Sequence, residues 1–275
     1  MTMTAADVAD SVEEALASDE DRRWELIARL QFRGGEAALH EATRLSRDAD
    51  PARRKLAADI LAQLRVDDAQ RRMDDAQRRV DDAQPPVEDA RLPVEDAARE
   101  QVVTTLLAMA TRDSEEPAVL ESIAYAFGHV RDARSVPLLV RLRDHSSAEV
   151  REAVTSGLLG RPEQDALETL VLLSADTDPT VREWATFGLA RQTNTDTPEI
   201  RTALAARLDD EPDVRLEAIA GLAARRDDRA VEPLIATMAA DVFDGDRYIL
   251  VETLHDTAAR TGDPRLQSLL ARWDE

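Results

Sequence analysis

Few residues in this 275-residue chain are of types that do chemistry. Cysteine is absent, which excludes disulfides, thiolate nucleophiles and Cys-ligated metals. The four histidines, His40, His129, His145 and His255, are scattered, and none has a second histidine one helical turn away. There is no phosphate-binding glycine loop, no dinucleotide fingerprint and no G-x-S-x-G elbow. Paired acids such as Glu13-Glu14 and Asp209-Asp210 fall at helix starts or links, where carboxylates are usually just solvated. No catalytic residue, metal ligand or cofactor site is therefore expected. One chemical feature does recur: Arg151, Arg182 and Arg215 share a position in successive segments. Such a row could meet phosphates. It could instead be a structural ladder, each guanidinium hydrogen-bonded to an Asp of a neighbouring segment.

Charge favours the ladder. The chain holds 56 Asp+Glu against 35 Lys+Arg, a net charge of −21, which opposes binding to a phosphate backbone. Lys55 is the single lysine. Excess Asp, near-absence of Lys and absence of Cys together resemble a protein from a salt-accumulating halophile. In molar salt the Debye length falls to ~3 Å, so a dense negative surface repels itself little. No apolar run approaches the roughly 18 residues of a membrane span, so no membrane insertion is expected. The N-terminus lacks the basic and apolar regions of a signal peptide, so a cytoplasmic location is expected.

The elements that must position these residues are short helices in tandem. Val119, Val150, Val181 and Val214 stand in equivalent frames spaced by 31, 31 and 33 residues, and Gly157, Gly188 and Gly221 follow the last three by seven. Pro51, Pro117, Pro179, Pro212 and Pro264 each follow an acid, the pattern of a capped helix start with Pro in the first turn. Apolar residues then recur at helical spacing, as in Val181, Ala185, Leu189 and Val214, Ala218, Leu222. Trp184 falls in a slot that reads as core-facing. After a short polar link a second helix begins, as in Ala230-Val231-Glu232-Pro233-Leu234. No stretch alternates as a strand would.

These residues resemble a known family. Asp-Pro-x-Val-Arg-x-x-Ala-x-x-Gly-Leu followed by Asp-x-Arg-Ala-Val-x-Pro-Leu, best seen at 228–234 and 133–139, is similar to HEAT repeats of the phycobilisome-lyase-like type. The resemblance spans roughly 20–260 and implies an all-α fold: a right-handed α-solenoid of about seven helix pairs over 1–275, with the second helices lining a concave face. A lone pair cannot bury its apolar stripe, so neighbours must stack. HEAT-like deoxyhypusine hydroxylase holds two irons through several His-Glu pairs; this chain has only His40-Glu41. The lyase activity would need a bilin pocket, for which 3% aromatic residues offer few walls. Some HEAT-like proteins read damaged DNA along a basic face, which is the alternative to the expected role, a non-catalytic protein-interaction scaffold or adaptor. On the second helices Val136, Leu170 and Leu234 should face the core. Arg141, Glu168, Arg201 and Glu232 then fall on the opposite side, the expected contact stripe for a protein partner.

One segment breaks the frame. Five copies of a seven-residue unit, VDDAQRR to VEDAARE, begin at Val66, and an insert over 66–93 separates the two helices of one repeat. Val66, Ala69, Met73, Ala76, Val80 and Ala83 make an a/d seam. That seam could join two copies through 66–84, but Ala at every d position buries little. The expectation is a monomer with a projecting helix or loop.

Overall fold

The computed structural model describes residues 2–65, 93–112, 116–240 and 247–273, and among these it contains helices and no strand. The fold is all-α, of the stacked-helix solenoid class. Fifteen α-helices follow in order: α1 Ala5–Ala17, α2 Glu20–Arg33, α3 Gly35–Leu45, α4 Pro51–Ala62, α5 Pro93–Arg112, α6 Pro117–Val130, α7 Val136–Leu142, α8 Ala148–Leu158, α9 Gln164–Leu173, α10 Pro179–Arg191, α11 Pro198–Ala205, α12 Pro212–Ala224, α13 Val231–Ala240, α14 Arg247–Thr261 and α15 Pro264–Trp273. With α1 as a preceding helix, even-numbered helices are the first and odd-numbered helices the second of successive repeats. Of the seven-residue tandem repeat, residues 66–92 lie outside the described residues, while Pro93 and the fifth copy, residues 94–100, fall in α5.

The starts follow the sequence pattern. Pro opens α4, α6, α10, α12 and α15, and also α11. Asp50 and Asp178 cap with their carboxylates, Asp50 accepting from the amide of Ala52 and Asp178 from those of Thr180 and Val181. Glu116 and Glu211 occupy the same position without a side-chain cap bond. The shorter Asp side chain is the one that reaches the free amides.

The chain divides into two compact units, Met1–Ser135 and Val136–Glu275. In the first, Leu26, Ile27, Leu30, Leu45, Ile60, Leu61, Leu106, Leu120, Ile123 and Phe127 are fully buried. In the second, Val150, Val154, Val181, Ala185, Leu189, Val214, Ala218 and Leu222 form the inward stripe of the first helices. Val136, Leu170 and Leu234 close it from the second helices. Toward its end, Ile219 of α12 packs with Leu234 and Met238 of α13, Leu250, Leu254 and Ala258 of α14, and Leu266 and Leu269 of α15.

Within this second unit the first helices approach closely. A Cβ on Gly221 would lie 2.8 Å from the Ala190 Cβ and 2.9 Å from its Cα, so only glycine lets α12 rest on α10 there. Between the second helices α9 and α11, by contrast, an open groove of about 390 Å³ remains. Within this unit the first helices α10 and α12 thus meet more closely at Gly221 than the second helices α9 and α11 do across that groove.

Candidate interaction surface

The arginine row is a ladder, and a longer one than the sequence reading named. Counted from the N-cap of each first helix, Arg23, Arg54, Arg151, Arg182 and Arg215 all stand at the fourth following residue. Four of them reach back to carbonyls at the end of the preceding helix or in the link. Arg23 donates to the carbonyls of Ala15 and Ser18, and Arg54 to Asp48 and Ala49. Arg151 donates to His145 and Ser146, and Arg182 to Asp176 and Thr177. A cation there satisfies acceptors that the preceding helix leaves free.

Two rungs also cross to the next repeat. Arg151 grips Asp176 with two hydrogen bonds of 2.7 Å, and Arg182 grips Asp210 at 3.1 and 2.9 Å. Burial pushes both carboxyls up. The arginine hydrogen bonds, with the backbone amides of Asp178 and Glu211, outweigh it and hold both below the ordinary aspartate range. A guanidinium so engaged has little left to offer a ligand. A second buried arginine set escaped the sequence reading: Arg161 and Arg225 stand four residues after Gly157 and Gly221. Arg225 pins the 193–195 link through the carbonyls of Leu189, Thr193 and Thr195. The legible signal was Gly-Leu-x-x-Arg.

The second-helix stripe is not a single concentrated site. Arg141 is exposed on α7, and Glu168 is exposed on α9, where it accepts from the Gln164 amide at 2.7 Å. Glu232 on α13 is paired with Arg265 at 2.7 Å. Arg201 is the most constrained of the four. It holds Asp196 through two bonds of 2.6 and 2.7 Å, and it reaches Asp227 at 3.3 Å and the Arg225 carbonyl at 2.7 Å. Beside the stripe, the α9–α11 groove is walled mainly by Val171, Ala175, Pro198, Ala203 and Ala206, with Glu199 and Arg207 at its edges.

The outward face of the first helices is different in character. On α10, Trp184 is 38% exposed, which corrects the core-facing slot inferred from the sequence. Its ring meets that of Phe187 edge-on with centroids 5.7 Å apart, and the Arg191 guanidinium lies 5.9 Å from the Phe187 centroid. Small residues stand at the Phe187 position in the neighbouring repeats, Ser156 on α8 and Ala220 on α12. The aromatic pair therefore rises from a low surround. Next to it, Glu183 has no hydrogen bond or ion pair among the described residues. Partial burial raises its pKa, and the charges of Asp213, Glu152 and Glu211 raise it further.

In the first unit the corresponding face is knitted together. Lys55 Nζ donates to Ser122 Oγ at 2.8 Å and pairs with Asp59 at 3.2 Å, linking α4 to α6. Ser122 is buried, and the amine donates to it, so the contact anchors two helices rather than activating a nucleophile. Among the described residues no group of three or more His, Asp or Glu is placed to hold a metal, and no helix is long and apolar enough to cross a membrane.

Comparison with known proteins agrees with this architecture. Residues 167–255 match the family described as HEAT repeats. No curated protein matches the chain significantly in sequence. Among solved structures, the X-ray structure of YibA from Escherichia coli is similar, with 21% identity, a TM-score of 0.65, and coverage of 100% of this chain and 94% of that one. A designed armadillo repeat protein in complex with the peptide (KR)4 has 17% identity and a TM-score of 0.47, over 79% of this chain and 99% of that one.

Proposed function

We propose that this protein is a non-catalytic protein-interaction scaffold built from HEAT-like repeats. One observation carries the reading: α10 of the second unit spends one face on the core and presents on the other an exposed Trp184, edge-on to a half-buried Phe187, next to Glu183, which has no hydrogen bond or ion pair among the described residues. Two of the three recurrent arginines, Arg151 and Arg182, are engaged by carboxylates and carbonyls, which favours a protein partner over the DNA-type alternative. On the second-helix face, Arg141, Glu168, Arg201 and Glu232 are proposed as a further contact row, with Arg141 and Glu168 the more available. The working form is a monomer in the cytoplasm of a salt-accumulating cell, and the repeats are of the phycobilisome-lyase-like type without lyase chemistry.

Affinity capture from native lysate at molar KCl, followed by reconstitution with the purified partner, tests the scaffold. A stoichiometric complex that forms without added small molecules is expected, and failure to reconstitute one sinks the reading. The salt element has its own check. With a net charge of −21, the thermal midpoint should rise between about 0.1 and 2 M KCl as self-repulsion is screened. A flat or falling midpoint removes the halophile reading.

A further inference from the structure

We propose that the Trp184–Phe187 face of α10 docks a basic segment of a partner polypeptide, an arginine or lysine side chain lying over the Trp184 ring with its charge against Glu183. The inference deepens the scaffold reading and rests on it.

Three observations fix the occupant's chemistry. The first is aromatic. Trp is the strongest π-acceptor of cations among side chains. The chain covers two other rings with its own guanidinium groups: Arg65 lies 4.4 Å from the centroid of Phe32 on α2, and Arg191 lies 5.9 Å from that of Phe187. Trp184 carries no such cation among the described residues, although its ring is solvent-accessible. The second is electrostatic. Glu183, the residue before Trp184 on α10, is partly desolvated and has no hydrogen bond or ion pair among the described residues, while Asp213, Glu152 and Glu211 act on it with the same sign. An incoming cation relieves that repulsion, whereas an anion or a neutral helix does not. The third is steric. Ser156 and Ala220, flanking Phe187 in the adjacent repeats, are small and half-buried, so no large side chain stands at those positions beside the aromatic pair. A phosphate-bearing ligand is disfavoured by the same charges, so the complement is cationic polypeptide.

Non-specific attraction to an acidic protein must be separated from this site. The test uses a fluorescein-labelled peptide, (Arg-Ser)4, and its citrulline counterpart of equal shape without charge, titrated by fluorescence anisotropy at about 0.15 M and 1 M salt. The wild-type chain should bind the arginine peptide and not the citrulline one. Trp184→Ala should weaken binding about tenfold, and Glu183→Gln about threefold. Two controls carry the weight. Trp24→Ala removes another exposed tryptophan, half-exposed on α2, and Asp165→Asn removes an exposed charge from α9; both should stay within about twofold of wild type. Because Trp184 is partly exposed, its replacement should leave the helical circular dichroism and thermal midpoint near wild type, which separates lost binding from lost folding. Absence of binding overturns the proposal, and so does equal weakening by Trp184→Ala and Trp24→Ala, or by Glu183→Gln and Asp165→Asn. Peptide titration does not depend on recovering a cellular partner. A partner captured equally well by the Trp184→Ala variant would leave the scaffold standing while removing this site.

Discussion

The first helices of the two units spend the same positions in opposite ways. Five residues after the N-cap, α4 carries Lys55 and α10 carries Glu183; six residues after it, α6 carries Ser122 and α10 carries Trp184. In the first unit these side chains bond to one another across helices, and thirteen residues after the cap Gln63 and His129 meet at 3.4 Å. In the second unit Trp184 is exposed and Glu183 half-buried without an ion pair among the described residues, while Arg191, thirteen residues after the cap, turns to Glu217 at 3.2 Å. The lesson is that this face lies outside the core accounting. A repeat can use it to fasten its neighbour or offer it to a partner, and the first unit fastens where the second offers.

Substitutions can break that contrast. The largest effect is expected at the ladder that both faces rely on. Arg182→Ala takes the two-bond partner from Asp210, whose side chain is mostly buried, and leaves it Arg207 alone at 3.0 Å; it should cost about 2–3 kcal/mol in urea unfolding. Gly221→Ala should follow at about 1–3 kcal/mol, because the added methyl meets backbone at Ala190. Gly188→Ala meets only side-chain ends, those of Leu159 and Leu170, and should cost less. If the two glycine variants melt alike, the close approach of α10 and α12 is not rigid. Acid should expose the ladder as well. Asp176 and Asp210 are held below their unfolded value of about 3.9, so they stabilise fully above it, and that stability is lost as pH falls through the lowered values. The urea midpoint should be flat from about pH 7 to 5 and drop below about pH 4, with a shallower drop in Arg182→Ala.

The smallest effects sharpen the comparison most. Lys55→Ala should destabilise by about 1 kcal/mol, since it leaves the mostly buried Asp59 without its ammonium. At the equivalent position Glu183→Gln should stabilise by a few tenths of a kcal/mol at neutral pH. The sign follows from its raised pKa: the folded state disfavours the charge, so removing the charge helps, and the benefit fades as pH falls and the carboxyl protonates anyway. Two variants that shift the melting midpoint in the same direction would erase the distinction between the units.

The sequence carried the scaffold well. Proline after an acid marked the start of α4, α6, α10, α12 and α15, and the Val-Ala-Leu stripes gave the buried face of α10 and α12. The crossing rungs at Arg151 and Arg182 were legible because the recurrence of arginine matched that of the links. Trp184 was not. It stands one residue, about 100° of helical turn, from buried Ala185, and periodicity cannot say which flank of a narrow stripe the next repeat will cover. The pairing of Arg201 was not legible for a related reason. Its partner Asp227 is 26 residues away, and only the stacked geometry shows that the two meet. The contact surface was harder to read than the core because exposure depends on neighbours, whereas burial of a stripe is written into the helix itself.

The arginine ladder has a consequence for how such a chain can change its length over evolutionary time. Asp176 receives Arg151 with its carboxylate, and its backbone carbonyl receives Arg182, which also grips Asp210. Each 31-residue block thus brings one donor for the block ahead and one acceptor for the block behind. Duplicating or deleting a whole block leaves no stranded charge at the join, whereas gaining or losing half a block strands one. Selection acting through those joints would preserve whole-number changes, and the array could grow without its outward face being redesigned.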